Sequence, residues 1–245
     1  MALEFTAQNQ KIDFGTSANV YGLSQKSISF WINMDNVTMD GNLYYAMSLF
    51  DDDAPYTDEG WNIVFNYDGN GDLLYSEGFS TTSGFWSIPI GTFGTGSWYH
   101  VVITMDNTSD TNNPSAYVNI VSKVFTEDVS PSGSANTGTN GNLRIGDPTS
   151  VSAAYRVIDG KIEDPRIYNV ILTPEEIAEL YNSRLQRSVT RGLVFAPFLD
   201  GATGLSSYDG ATLGTANTIV DSITGAVGVP NGSPIGRGNT IQRIY

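Results

Sequence analysis

The sequence predicts an all-β protein with one short C-terminal helix, at about residues 173–186, and an extended tail. Three observations carry that expectation. Before residue 170 the apolar residues either alternate with polar ones or form short runs bounded by Gly, Asn, Asp, Ser and Pro, the mark of strands and turns. The chain has 26 Gly and 10 Pro, a balance that favours turns over helices. Only one stretch shows helical spacing: Ile177, Leu180, Tyr181 and Leu185 make one apolar stripe behind Thr173-Pro174-Glu175-Glu176, a T-x-x-E capping box with proline in the first turn.

The elements follow in order. Residues 3–14 hold two short apolar pieces around a polar centre and read as an edge hairpin or a bulged strand. Residues 27–35 set Ile28, Phe30, Ile32 and Met34 against polar alternates, a strand with one core face. A strand at 44–50 runs into an acidic loop. Residues 61–67 and 73–79 flank Asp68-Gly-Asn-Gly-Asp72, the clearest hairpin signal. Residues 85–93 form a weaker strand whose Pro89 suggests an edge. Residues 96–106 are apolar on both alternating sets and predict a strand covered on both sides. Residues 115–125 alternate and read as one further strand, with two more at 143–145 and 160–168 and another at 192–199. A boundary near Ser188 separates a sandwich, 1–188, from a Gly-rich extension, 189–245, which reads as a docking arm or partial second module.

The formal net charge of −14 opposes nonspecific binding to nucleic acid or anionic membrane. No cysteine is present, which excludes disulfides and thiolate metal sites. The N-terminal stretch lacks a basic segment followed by an apolar core, so no secretory signal is expected, and no apolar run is long enough to span a membrane.

Taken together, LEFTAQNQKIDFG, SISFWINMD, GWNIVFNYDGNGDL, GSWYHVVITMDN, SAYVNIV, NLRIGD and DGKIEDPRIYNVILTPEEIAELY form an ordered series over about residues 3–182. The series resembles the laminin G-like/concanavalin A-like lectin superfamily. The resemblance implies a jelly-roll β-sandwich of two antiparallel sheets. In addition, GLVFAPFLDGATG, residues 192–204, is similar to the opening of another such module. Truncated or tandem modules of this kind resemble bacteriophage structural proteins that decorate capsids or tails.

Each candidate for chemistry also has a packing role open to it. Glycosidases of this fold place Glu-x-Asp-x-x-Glu on one strand, and no such triplet exists here, so no enzyme is expected. His100 is the only histidine, with no partner set for a triad, and reads as a packed strand residue. Calcium is the better chemical candidate. Asp51, Asp52, Asp53, Asp58 and Glu59 form one oxygen-rich stretch and Asp106, Asn107 and Asp110 another, although a solvated acidic loop outweighs the metal reading. For a glycan, Tyr56, Trp61 and Trp86 are the candidate contact aromatics.

Two functional readings follow. The first is a non-catalytic virion structural or decoration protein, made in the host cytoplasm, that binds capsid or tail proteins, or itself, through residues 189–245. The second is an extracellular carbohydrate-binding adhesion module, with or without Ca2+.

Overall fold

A computed structural model describes residues 2–16, 20–36, 43–50, 60–67, 71–89, 91–136, 141–148, 155–183, 188–197, 212–216 and 218–237. The first half of the chain contributes β1 (Ala2–Phe5), β2 (Lys11–Asp13), β3 (Gln25–Met34), β4 (Leu43–Phe50), β5 (Trp61–Tyr67), β6 (Gly71–Glu77), β7 (Gly84–Ile88), β8 (Trp98–Asp106) and β9 (Ser115–Val118). The second half contributes β10 (Val121–Lys123), β11 (Thr126–Val129), β12 (Asn142–Gly146), β13 (Tyr155–Val157), β14 (Gly160–Tyr168), α1 (Pro174–Asn182), β15 (Leu193–Phe195), β16 (Ile219–Val220), β17 (Val227–Asn231) and β18 (Ile235–Arg237). Among the described residues these strands form two sheets. One runs β10-β9-β8-β3-β14-β1-β18 with β15 added beside β14; the other runs β11-β7-β6-β5-β4-β12-β2-β17-β16 with β13 beside β4. All pairings are antiparallel except β13 with β4.

The strand periodicity read from the sequence fixes which face is inside. In β3, Ile28, Phe30, Ile32 and Met34 all lie in the main core, where they meet Ile63, Phe65, Leu73 and Ile145 of the opposite sheet. The outer face of the first sheet is covered by α1, whose Ile177 and Leu180 pack on Val102, Tyr168 and Leu172. That double cover explains why residues 96–106 are apolar on both alternating sets. His100 lies in the same layer, its Nε2 within 2.9 Å of Ser29 Oγ and its ring 5.0 Å from that of Trp31, the packed role expected of it.

Three expectations change. Residues 3–14 do not form a hairpin or one bulged strand, because β1 and β2 belong to different sheets. The chain crosses between them at Asn9, which has φ 64, while the Gln10 carboxamide oxygen accepts from the Thr6 and Ala7 amides. Residues 115–125 are a hairpin and not one strand. Asn119 and Ile120 both take positive φ, the geometry of a two-residue type I′ turn, and the Asn119 side chain accepts from the His100 amide. Finally, the division near residue 188 coincides with no break in either sheet, since β15 pairs with β14, β17 with β2 and β18 with β1. Gly228 is what lets β17 lie flat there: a Cβ at that position would stand 2.6 Å from Ile12 and Phe14.

The two sheets are also joined by charge. Lys26 of β3 donates to Glu77 of β6 at 2.7 Å with both side chains buried, and Glu77 accepts further bonds from Asn107 Nδ2 and the Tyr75 hydroxyl. The Glu77 end of the pair is thus further hydrogen-bonded, which offsets part of the cost of burying its charge. Burial, and then the Glu77 charge, hold the Tyr75 hydroxyl well above its ordinary pKa.

Candidate functional site on the outer face of the larger sheet

The residues singled out in the sequence do not form one site. Asp51, Asp52, Asp53, Asp58, Glu59 and Tyr56 lie outside the described residues. Asp106, Asn107 and Asp110 are described, and they diverge. Asp106 accepts from the Thr108 hydroxyl, then from the Thr108 amide and from Gln25, bonds that hold its carboxyl below the usual carboxylate pKa. Asn107 turns inward to Glu77, while Asp110 accepts from the Gly133 amide. These three therefore shape the β8–β9 loop and share no coordination sphere. Among the described residues no group of three or more His, Cys, Asp or Glu side chains is placed to hold a metal ion.

Trp61 and Trp86 are corrected as well. Both are among the largest fully buried side chains, and Trp86 is stacked near Tyr75 with its indole N–H donated to Asn113. They sit at inward positions of β5 and β7, so neither offers a ring face to a ligand. A strand residue's fate is decided by its parity along the strand, and aromatic composition does not reveal parity.

The opposite parity builds a different arrangement. Between the inward residues of the larger sheet stand outward ones, and strand register aligns them into a row across eight strands: Val129, Phe85, Ser76, Asn62, Ser48, Arg144, Asp13 and Val229. At the usual interstrand spacing the row is roughly 34 Å long. Its centre is polar and buried while its ends are apolar and exposed. Exposure is 0% at Ser48, 1% at Arg144 and 7% at Asn62, against 40% at Val129 and 37% at Val229. The Asp13 side chain, beside Arg144, is 27% exposed. Beside the polar centre runs an apolar strip, Tyr45, Val64 and Leu74, with Leu43 and Phe85 against it.

Hydrogen bonding within the row is incomplete. Arg144 Nε donates to Asp13 Oδ2 at 2.8 Å and Arg144 Nη1 donates to the Pro148 carbonyl, while Asn62 Nδ2 reaches Ser76 Oγ only at 3.4 Å. Ser48 Oγ and Asn62 Oδ1 are buried with no protein hydrogen-bond partner. Ser48 and Asn62 are direct cross-strand partners, so a hydroxyl donor and acceptor stands beside a carbonyl acceptor. Buried polar groups left without partners are uncommon, and here two stand side by side on one sheet face beside an apolar strip. Sequence reasoning passed over them, yet a signal exists. Ser48 and Asn62 are each a single small polar residue between core-forming neighbours, Met47/Leu49 and Trp61/Ile63.

Comparison with known proteins agrees with the architecture. The family profile for the concanavalin A-like lectin/glucanases superfamily matches residues 6–178, and the chain belongs to that superfamily. No curated protein matches it in sequence. Among solved structures it is similar to a native heptameric SAP-like pentraxin from Limulus polyphemus, with 16% identity, 93% of this chain and 94% of the pentraxin covered and a TM-score of 0.56. A candidate carbohydrate binding protein from Bacteroides ovatus has 18% identity over 98% of this chain and 61% of its own, with a TM-score of 0.62. The CBM40 of a Ruminococcus gnavus IT-sialidase, solved with alpha2,3 sialyllactose, has 14% identity over 74% of this chain and 98% of its own, with a TM-score of 0.55. At these identities the likeness is one of fold.

Proposed function

We propose that the protein is a carbohydrate-binding module that holds its glycan along the polar row of the larger sheet. The observation that carries this reading is the pair of buried, partnerless atoms, Ser48 Oγ and Asn62 Oδ1, facing out beside Tyr45, Val64 and Leu74. Sugar hydroxyls both donate and accept, and an apolar strip suits the carbon face of a pyranose. The superfamily and two of the similar structures, one described as a candidate carbohydrate binding protein and one as a CBM40, support the same reading. The virion-assembly reading placed its contacts in residues 189–245. The described strands of that segment are paired within the chain's own two sheets, so the carbohydrate reading takes precedence.

The test is a glycan array followed by titration calorimetry. The wild type binds at least one glycan class, and Asn62→Ala weakens that binding by about tenfold or more through loss of one buried acceptor. Failure of the wild type to bind any glycan, or unchanged affinity in Asn62→Ala, removes the reading.

A further inference from the structure

Among the described residues every exposed large apolar side chain falls in one of two short stretches. Ile120, Val121, Val124 and Val129 make one group; Val220, Ile223, Val227 and Val229 make the other. The groups stand at opposite ends of the sandwich. β10 and β11, joined by Val124 and Phe125, are the terminal strands of the two sheets at one end, and β17 and β16 are the last two strands of the larger sheet at the other. Single exposed apolar residues are ordinary on a protein surface, but their confinement to two ends is not. At the first end backbone strain accompanies exposure. Ile120 takes the second central position of the β9–β10 turn at φ 64, where a type I′ turn favours glycine, and it is 45% exposed. Neither the turn nor the core gains from an isoleucine there. At the second end Val220 and Val227 are cross-strand partners, and Val229 lies on the same face two residues on. The β16 backbone is already engaged, through the Pro197–Asp221 bridge and the Ser222 amide donating to the Ala196 carbonyl, so this end offers side chains and not a free edge.

We infer that the two ends are the halves of one contact, and that copies of this chain associate end to end, residues 120–129 of one copy seated on residues 220–229 of the next. Charge selects this pairing. The chain has a formal net charge of −14, so copies approach most readily where charge is absent. Between residues 219 and 231 the one charged residue, Asp221, is fully buried, which leaves that end neutral toward a neighbour. The other end carries exposed Glu127 and Asp128. Set against its own copy it would oppose carboxylates to carboxylates; set against the neutral end it does not. A contact between unlike ends is heterologous and covers both apolar groups with one interface. It is independent of the carbohydrate reading.

The experiment is sedimentation velocity on the full chain across a concentration series, for the wild type, Val124→Asp and Val227→Asp. An apolar contact of four side chains a side is small, so the wild-type mass rises past that of a dimer between about 10 µM and 1 mM. Either variant places a carboxylate in the contact and weakens self-association about tenfold or more. Mixed together, the two variants form a dimer and stop there, because the intact 120–129 end of Val227→Asp meets the intact 220–229 end of Val124→Asp. Urea denaturation shows that each variant folds, and Val227→Ser takes the place of Val227→Asp where the charged variant loses its transition. As a second measurement, Ile120→Gly gives the turn the residue it favours and weakens association at least about threefold.

A wild type that stays monomeric to about 1 mM overturns the inference. Dimers of Val124→Asp alone, or of Val227→Asp alone, at wild-type affinity show an end meeting its own copy and overturn the heterologous pairing. Failure of the folded variants to dimerise on mixing does the same. Unchanged association in Ile120→Gly removes Ile120 from the contact.

Discussion

Ser48 contributes nothing to folding that an alanine would not. Its hydroxyl is buried and meets no protein partner, so the folded state bears the desolvation of a polar group without a compensating bond. An unmet buried hydroxyl costs on the order of 1 kcal/mol or more. Ser48→Ala is therefore expected to raise stability by about 1 kcal/mol while weakening glycan binding. Urea denaturation and calorimetry on the same preparation check both signs. A residue kept only for packing would lose stability on truncation, so a lower urea midpoint in Ser48→Ala contradicts the site. Legibility at this scale was uneven. The packed role of His100 could be read from the sequence, because the residues around it are apolar on both parities. Trp61 and Trp86 were misread as contact residues because a tryptophan on a strand looks the same whichever side it faces.

Among the elements, α1 was the most legible, because its signals are local. Thr173 Oγ1 accepts from the Glu176 amide, and Glu176 Oε2 accepts from the Thr173 amide, the reciprocal pair that T-x-x-E encodes. What the sequence did not show is that Glu176 also holds Arg191, fifteen residues on, with contacts of 2.7 and 2.5 Å, and so clasps the helix start to the chain leading into β15. The bond from Arg191 is the main cause of a Glu176 pKa below the ordinary carboxylate value of 4.5; the Thr173 amide adds to it. A carboxyl whose pKa is lower in the folded state stabilises the fold above its unfolded pKa and loses that contribution as pH falls through the folded value. Hydrogen exchange at residues 174–182 is thus expected to speed up as pH drops below the ordinary glutamate range, once corrected for intrinsic rates. Glu176→Gln should abolish most of that dependence. Protection that stays flat through the acid range in the wild type would show that the clasp does not hold the helix. The β9–β10 hairpin marks the opposite case. Its turn is Asn119-Ile120, and a β-branched residue at φ 64 is so unusual that an alternating run from 115 to 125 reads as one strand.

For the whole molecule, the difference between composition and structure is concentrated after residue 188. The strand at 192–199 was legible, but β17 and β18, of five and three residues with one glycine each, carry too little periodicity to be recognised, and their partners β2 and β1 lie more than two hundred residues earlier. Yet they close both sheets. Phe195, Leu213 and Ile219 belong to the main core, each fully buried, and Asp221 ties the segment together by accepting from the Ala196 and Thr224 amides. Fully burying one such side chain contributes about 1.5–3 kcal/mol, so the three together contribute roughly 5–9 kcal/mol. A domain of this kind has only about 5–15 kcal/mol of net stability. Removing residues 189–245 also strips β18 from β1 and β17 from β2, leaving unpaired backbone along both strands. The chain cut after residue 188 is therefore expected to lose its cooperative urea transition and to self-associate. Denaturation followed by tryptophan fluorescence, with light scattering in parallel, checks this. A monomeric 1–188 fragment with the wild-type midpoint would mean that the core closes without the last strands, and that residues 189–245 are an appendage after all.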